Sequence, residues 1–137
     1  MDFSIDAALQ ADHDRLRAFV RDEIVPLEAD RKNYDFYGNI DMVVLQTLRA
    51  KVKAAGLWTP QIPREQGGLG YEPTGMAVLY EAMNYSIFGP VAFNCAAPDD
   101  GNMYILNKVA NQAQKDRWLT PIINGDVRSS FAMTEPA

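Results

Sequence analysis

The sequence predicts an all-α, up-and-down domain of about five to six helices, closing on one strand whose partners lie outside the chain. Three observations predict it. Apolar residues recur at helical spacing through most of the 137 residues. Proline and glycine clusters separate the periodic runs. One window, Val127 to Met133, has strand-like character, and a lone strand needs neighbours to be stable.

The first helix is expected from about Asp6 to Ile24. Leu9, Leu16, Phe19, Val20 and Leu27 fall on one face, and Asp12, Asp14, Arg15, Arg17, Arg21 and Asp22 cover much of the rest. Asp6 suits an N-cap, and Pro26 ends or kinks the helix. His13 reads as a surface residue on that charged face rather than as a catalytic base. Residues 33–39 form a polar and aromatic connection.

A second helix is expected from Asp41 to Ala55. Val44, Leu45, Leu48, Val52 and Ala55 form its stripe, with Arg49, Lys51 and Lys53 on the wet side. Lys51 and Lys53 suit the negative end of the helix dipole. Gly56 sits where a left-handed C′ residue belongs, and Leu57 packs back on Val52 in a Schellman ending.

Residues 58–71 hold two prolines and three glycines, which rules out a regular element. Gly67-Gly68-Leu69-Gly70 is not a phosphate cradle. It lacks a Gly-Lys-Ser/Thr, a preceding buried strand and a Gly-x-Gly-x-x-Gly. A third helix fits Thr74 to Ile87, with Met76, Leu79, Tyr80, Met83 and Ile87 on its apolar face, until Gly89-Pro90 breaks it.

Small apolar residues from Ala92 then run into Asp99-Asp100-Gly101-Asn102. A fourth helix proceeds through Met103, Leu106, Val109 and Ala110. Asp99 or Asp100 either caps it or points into a ligand cavity. Cys95 has no neighbouring His or Lys to activate it, and reads as a small buried residue. A fifth helix opens at Asn111 with Gln114 completing a capping box. Trp118, Leu119, Ile122 and Ile123 form its apolar side, and Pro121 bends or breaks it. Asn124-Gly125-Asp126 is a turn before the strand.

Composition narrows the function. Net charge is −5, which argues against nucleic-acid binding, since phosphate neutralisation needs a basic surface. Cys95 is the single cysteine, so no intrachain disulfide forms, and one Cys with one His argue against a zinc site. The acidic start, Met1 to Asp6, is neither a secretory signal nor a transit peptide. No window approaches the ~18 apolar residues of a membrane span. The expectation is a soluble protein of a reducing, cytoplasmic compartment.

Three motifs then point to one family. Ile62-Pro63-Arg64-Glu65-Gln66-Gly67-Gly68-Leu69-Gly70 resembles the Pro-x-Glu-x-Gly-Gly-x-Gly loop of acyl-CoA dehydrogenases. Gln114-Lys115, followed by residues 118–126, resembles their Glu-Gln-Lys…Leu-Pro-x-Leu-x-x-Gly segment. Phe131-Ala132-Met133-Thr134-Glu135-Pro136 resembles their Ala-x-Thr-Glu-Pro flavin strand. Order and spacing agree, and the likeness covers nearly the whole chain. Ala97-Pro98-Asp99-Asp100-Gly101-Asn102-Met103 is similar to the Ala-Pro-Asp-Thr-Gly-Asn-Met segment of one branch, with Asp100 in place of Thr. Before Gln114-Lys115, residues 110–113 depart from the family's Gly-Thr/Ser-Glu-Glu.

The resemblance implies residues 1–126 as the family's N-terminal helical domain and 127–137 as the opening of its middle β domain. It implies FAD as cofactor and α,β-dehydrogenation of an acyl-CoA thioester as the reaction. Phe131, Ala132, Met133 and Thr134 would lie against the flavin. The helices that carry Met76, Leu79, Tyr80, Met83, Asn94 and Asn102 would wall the acyl cavity, with Met83, Asn94 and Asn102 as substrate contacts. No residue inherits the catalytic glutamate, which in the family lies in the C-terminal domain, and Glu135 has no such role. An electron-accepting flavoprotein or oxygen, and a dimer or tetramer of the full-length protein, follow from the same likeness. The chain would be inactive alone. Acyl-CoA oxidases and some flavin monooxygenases share the architecture, and a stand-alone helical interaction module is the alternative from another class.

Overall fold

A computed structural model describes residues 4–133. It divides into two compact units, Met1–Phe93 and Asn94–Ala137. Both are helical. The described residues contain no β-strand, only an isolated antiparallel bridge between Tyr34 and Ile40. No helix among them is long and apolar enough to cross a membrane.

In the first unit, α1 spans Ala7–Phe19. Asp6 caps it, its carboxylate accepting from the amides of Ala8 (2.9 Å) and Leu9 (3.3 Å). The helix does not stop before Pro26. It widens into a π-helical turn, Val20–Ile24, and continues as α2, Val25–Glu28. A proline offers no N–H and crowds the carbonyl one turn back. A locally widened turn accommodates both effects without ending the helix. α3 (Met42–Ala54) is capped by Asp41. It ends as expected: Gly56 is left-handed (φ 68°), its amide donates to Lys53 O at 3.0 Å, and Leu57 N donates to Val52 O at 3.1 Å. α4 (Pro73–Met83) packs on α1, and the short α5 (Gly89–Ala92) packs on α3.

Leu16, Val20, Ile24, Leu45, Leu48, Val52, Leu79 and Met83 form the core of this unit. Each such side chain contributes about 1.5–3 kcal/mol on leaving water. Phe93 stacks edge-on against Phe19 at 5.8 Å, and Tyr34 lies 4.8 Å from Phe88. The 58–71 loop is tied down at its far end, where the Tyr71 hydroxyl donates to Asp12 at 2.7 Å.

Three expectations fail here. Arg49 is buried, not on the wet side. Its position is one turn from Leu45 on the core face, so its stem packs while its guanidinium donates to Val91 O at 3.3 and 3.1 Å. That satisfies a carbonyl near the end of α5, where helix carbonyls lack internal partners. Ile87 is 67% exposed, because α4 ends at Met83. The chain doubles back there so closely that a β-carbon on Gly89 would lie 1.9 Å from Met83 O.

His13 is the third. It is 8% exposed, its Nε2 lies 2.8 Å from Glu81 of α4, and its Nδ1 lies 3.2 Å from Asp14. The imidazole ties α1 to α4. The Glu81 hydrogen bond raises its pKa above 6.5, burial opposes the rise, and Asp14 adds to it. A raised folded-state value means that the stabilisation is complete below about pH 6.5 and fades as pH rises through the folded pKa. Chemical denaturation should therefore show greater stability at pH ~5.5 than at pH ~8.5, after other titrations are subtracted with His13→Gln, which abolishes that difference.

Candidate functional site

The second unit carries the candidate site. α6 spans Asp99–Val109. After it, Asn111 and Gln114 form the expected capping box: Asn111 N donates to Gln114 Oε1 at 2.9 Å, and Gln114 N to Asn111 Oδ1 at 3.0 Å. The box starts α7 (Gln112–Gln114), which passes through a second π-helical turn, Lys115–Leu119, into α8 (Thr120–Asn124). Pro121 follows this turn just as Pro26 follows the first, so the same steric problem has the same solution twice. Gly125 is left-handed at φ 74° and ends α8.

Leu119, Ile122, Ile123 and Met103 are buried. Trp118, expected on the same apolar side, is about half exposed. It instead lines a cleft of about 520 Å³, in the range of small-molecule sites. Ile105, Leu106, Pro121, Ile122 and Val127 provide the rest of its apolar wall. Asn102, Arg117, Arg128 and Ser129 complete the lining. The arrangement suits an apolar guest that ends in, or passes, a few polar groups.

A polar network holds one wall of this cleft. Asp99 is buried at 2% exposure, yet it does not cap its own helix. Its carboxylate accepts from Ser129 N (2.6 Å), Ser129 Oγ (2.7 Å) and Arg128 Nε (3.1 Å). Burial pushes the Asp99 carboxyl up, but the Ser129 amide and hydroxyl and the Arg128 guanidinium outweigh it and hold the carboxyl below its ordinary value. Asn102, one turn on from Asp99, donates to Ser129 Oγ at 2.9 Å and Ser130 O at 3.3 Å. Asp99 thus sits at the positive end of α6 but gives its hydrogen bonds to the segment that follows α8.

The other expected site residues are dispersed. Asn94 is buried, with φ +61°, and its amide donates to Ile122 O at 3.0 Å. Met83 lies in the core of the first unit. Asn102 borders the cleft. Phe131 and Met133 are exposed at 66% and 76%, and Ala132 is exposed between them. Residues 127–133 were expected to be a strand; they join no ladder among the described residues, because a strand needs a partner to exist. Thr134 lies outside the described residues. Cys95 is buried as expected, and burial pushes its thiol up, which disfavours the thiolate. Sequence reasoning missed Arg117, Arg128 and Ser129. The one signal for them was their adjacency to the turn at Asn124-Gly125-Asp126 and to Trp118.

Residues 7–126 match the family described as acyl-CoA dehydrogenase, N-terminal domain. Among curated proteins, acyl-CoA dehydrogenase family member 10 of Mus musculus is 36% identical over 131 residues, which covers 90% of this chain and 12% of that protein. The "Probable acyl-CoA dehydrogenase FadE2" of Mycobacterium tuberculosis is 37% identical over 147 residues, covering 100% of this chain and 34% of the relative. A solved structure "of a putative acyl-CoA dehydrogenase from Mycobacterium abscessus" superposes with a TM-score of 0.83 at 36% identity, over 98% of this chain and 36% of that one. The chain thus spans about a third, or less, of the length of these relatives. The helical fold agrees with these matches, and the chain belongs to the acyl-CoA dehydrogenase family, matching its N-terminal domain over residues 7–126.

Proposed function

We propose that this chain forms the N-terminal helical wall of an FAD-dependent acyl-CoA dehydrogenase and is inactive by itself. The observation that carries the reading is the family match over residues 7–126, directly followed by a segment with exposed apolar side chains. Phe131 and Met133 present apolar surface to solvent, and the segment carrying them belongs to no helix or ladder among the described residues. That combination suits a flat heteroaromatic ring, which needs apolar contact on a face and amide donors at an edge. The chemistry supplied by a bound FAD is two-electron acceptance from a saturated acyl thioester.

The roles of the chain's own residues are positional. Phe131, Ala132, Met133 and Thr134 present backbone and one hydroxyl to the flavin. Asn102, with the apolar cleft beside it, excludes water from the acyl chain. The catalytic base is supplied from outside these residues. A flavoprotein or oxygen takes the electrons, and the assembled enzyme is a dimer or tetramer.

Two outcomes test this. The 137-residue chain alone purifies colourless and reduces no electron acceptor with an acyl-CoA. A yellow chain that does reduce one contradicts the proposal. A chimera in which this chain replaces the matching 36% of the Mycobacterium abscessus protein retains FAD as the parent does. Loss of FAD from a folded chimera, with the parent holding it, contradicts the flavin-facing role.

A further inference from the structure

We propose that Asp99 is a positioning residue: by gripping Ser129 and Arg128 from the first turn of α6, it sets the course of the segment that leads into Phe131–Met133. The grip has four parts. The carboxylate accepts the Ser129 amide at 2.6 Å and the Ser129 hydroxyl at 2.7 Å. Arg128 closes an ion pair from the other side at 3.1 Å. Asn102 holds the same serine hydroxyl and the Ser130 carbonyl. Asp99 itself is 2% exposed, so water does not compete for its oxygens.

The geometry explains an otherwise costly choice. A buried carboxylate without partners is expensive, and an aspartate at a helix start ordinarily caps that helix in water. Here the positive end of α6 helps keep the charge, while its hydrogen bonds go to a different part of the chain. The result is a rigid post beside residues 128–130, in a stretch that no ladder holds among the described residues. Ser129 lies two positions before Phe131, so a fixed Ser129 limits where Phe131 can point. The last step, from a fixed segment to an ordered flavin, rests on the flavin reading given above.

Amide hydrogen exchange tests the grip without any cofactor. In Asp99→Ala, the Ser129 amide exchanges at least about tenfold faster, while the Gln114 amide, held by its own capping box, keeps its rate. Should Asp99→Ala not fold, the isosteric Asp99→Asn decides. A neutral amide oxygen holds a donor less tightly than a carboxylate, so exchange at Ser129 rises several-fold. An unchanged Ser129 rate in a folded variant overturns the proposal. The flavin step has its own readout. In the FAD-loaded chimera, Asp99→Ala shifts the visible flavin absorption, and Asp99→Asn moves it back toward the wild-type spectrum. Accelerated exchange with an unmoved spectrum leaves the grip in place and overturns the link to flavin.

Discussion

Phe93→Ala is expected to lower the unfolding free energy by about 3–5 kcal/mol. Phe93 is fully buried and packs edge-on against Phe19 at 5.8 Å. Its carbonyl also accepts the Thr59 amide at 3.2 Å, so the ring sits where the long 58–71 loop meets the helices. Truncation removes the transfer energy of a whole ring and leaves a cavity lined by atoms with no other partner. Urea denaturation measures it: the midpoint falls while the slope stays near that of the wild type. Phe93→Leu, which refills most of the volume, should recover well over half of the loss.

Gly68→Ala is expected to cost about 3 kcal/mol, although it adds one methyl group. A β-carbon there would lie 2.0 Å from Ile62 O and 2.5 Å from Thr59 O. Both atoms are backbone, and both already work: Ile62 O accepts the Gly70 amide at 2.9 Å, and Thr59 O accepts the Ile62 amide at 3.0 Å. The loop winds around those carbonyls and has no flexible side chain to yield. Gly67 is the control. It has φ +92° and no atom within 4 Å of a built β-carbon, so Gly67→Ala pays only for the left-handed backbone, about 1–2 kcal/mol. Thermal melts of the two variants separate steric from conformational cost. Within the Gly-Gly-x-Gly motif, Gly68 is required by close backbone packing and Gly67 by its left-handed backbone.

Local chemistry was legible in the sequence. The Asp6 and Asp41 caps, the Gly56-Leu57 ending and the Asn111–Gln114 box each involve partners within a few residues, so residue type and spacing suffice. The residues misread have distant partners. His13 meets Glu81 from 68 positions away, Arg49 meets Val91 from 42, and Asp99 meets Ser129 from 30. Helical periodicity places a polar residue on a face but does not say what waits opposite. Arg49 adjoined an apolar stripe and was assigned to water because of its charge; its stem is as apolar as its neighbours. The two π-helical turns were invisible for a related reason. Proline signals that regular hydrogen bonding must change, and whether the helix ends or widens depends on packing.

The candidate site shows the same divide. The cleft beside α6 and α8 was not legible, since five of its lining residues come from two helices that are separate in sequence. Asn102 was chosen by resemblance and does border that cleft, whereas Asn94 commits its amide to Ile122 O inside the unit.

If, as proposed, these helices wall a flavin site at which an acyl-CoA is dehydrogenated, a substrate should bleach the flavin that they help to hold. Anaerobic absorbance of the FAD-loaded chimera, before and after addition of a saturated acyl-CoA, tests it most directly. The oxidised flavin bands should be lost and the α,β-unsaturated thioester formed, at a rate within about tenfold of the parent (a difference of about 1.4 kcal/mol in the barrier). A folded, flavin-loaded chimera whose bands persist with acyl-CoAs that reduce the parent would contradict it.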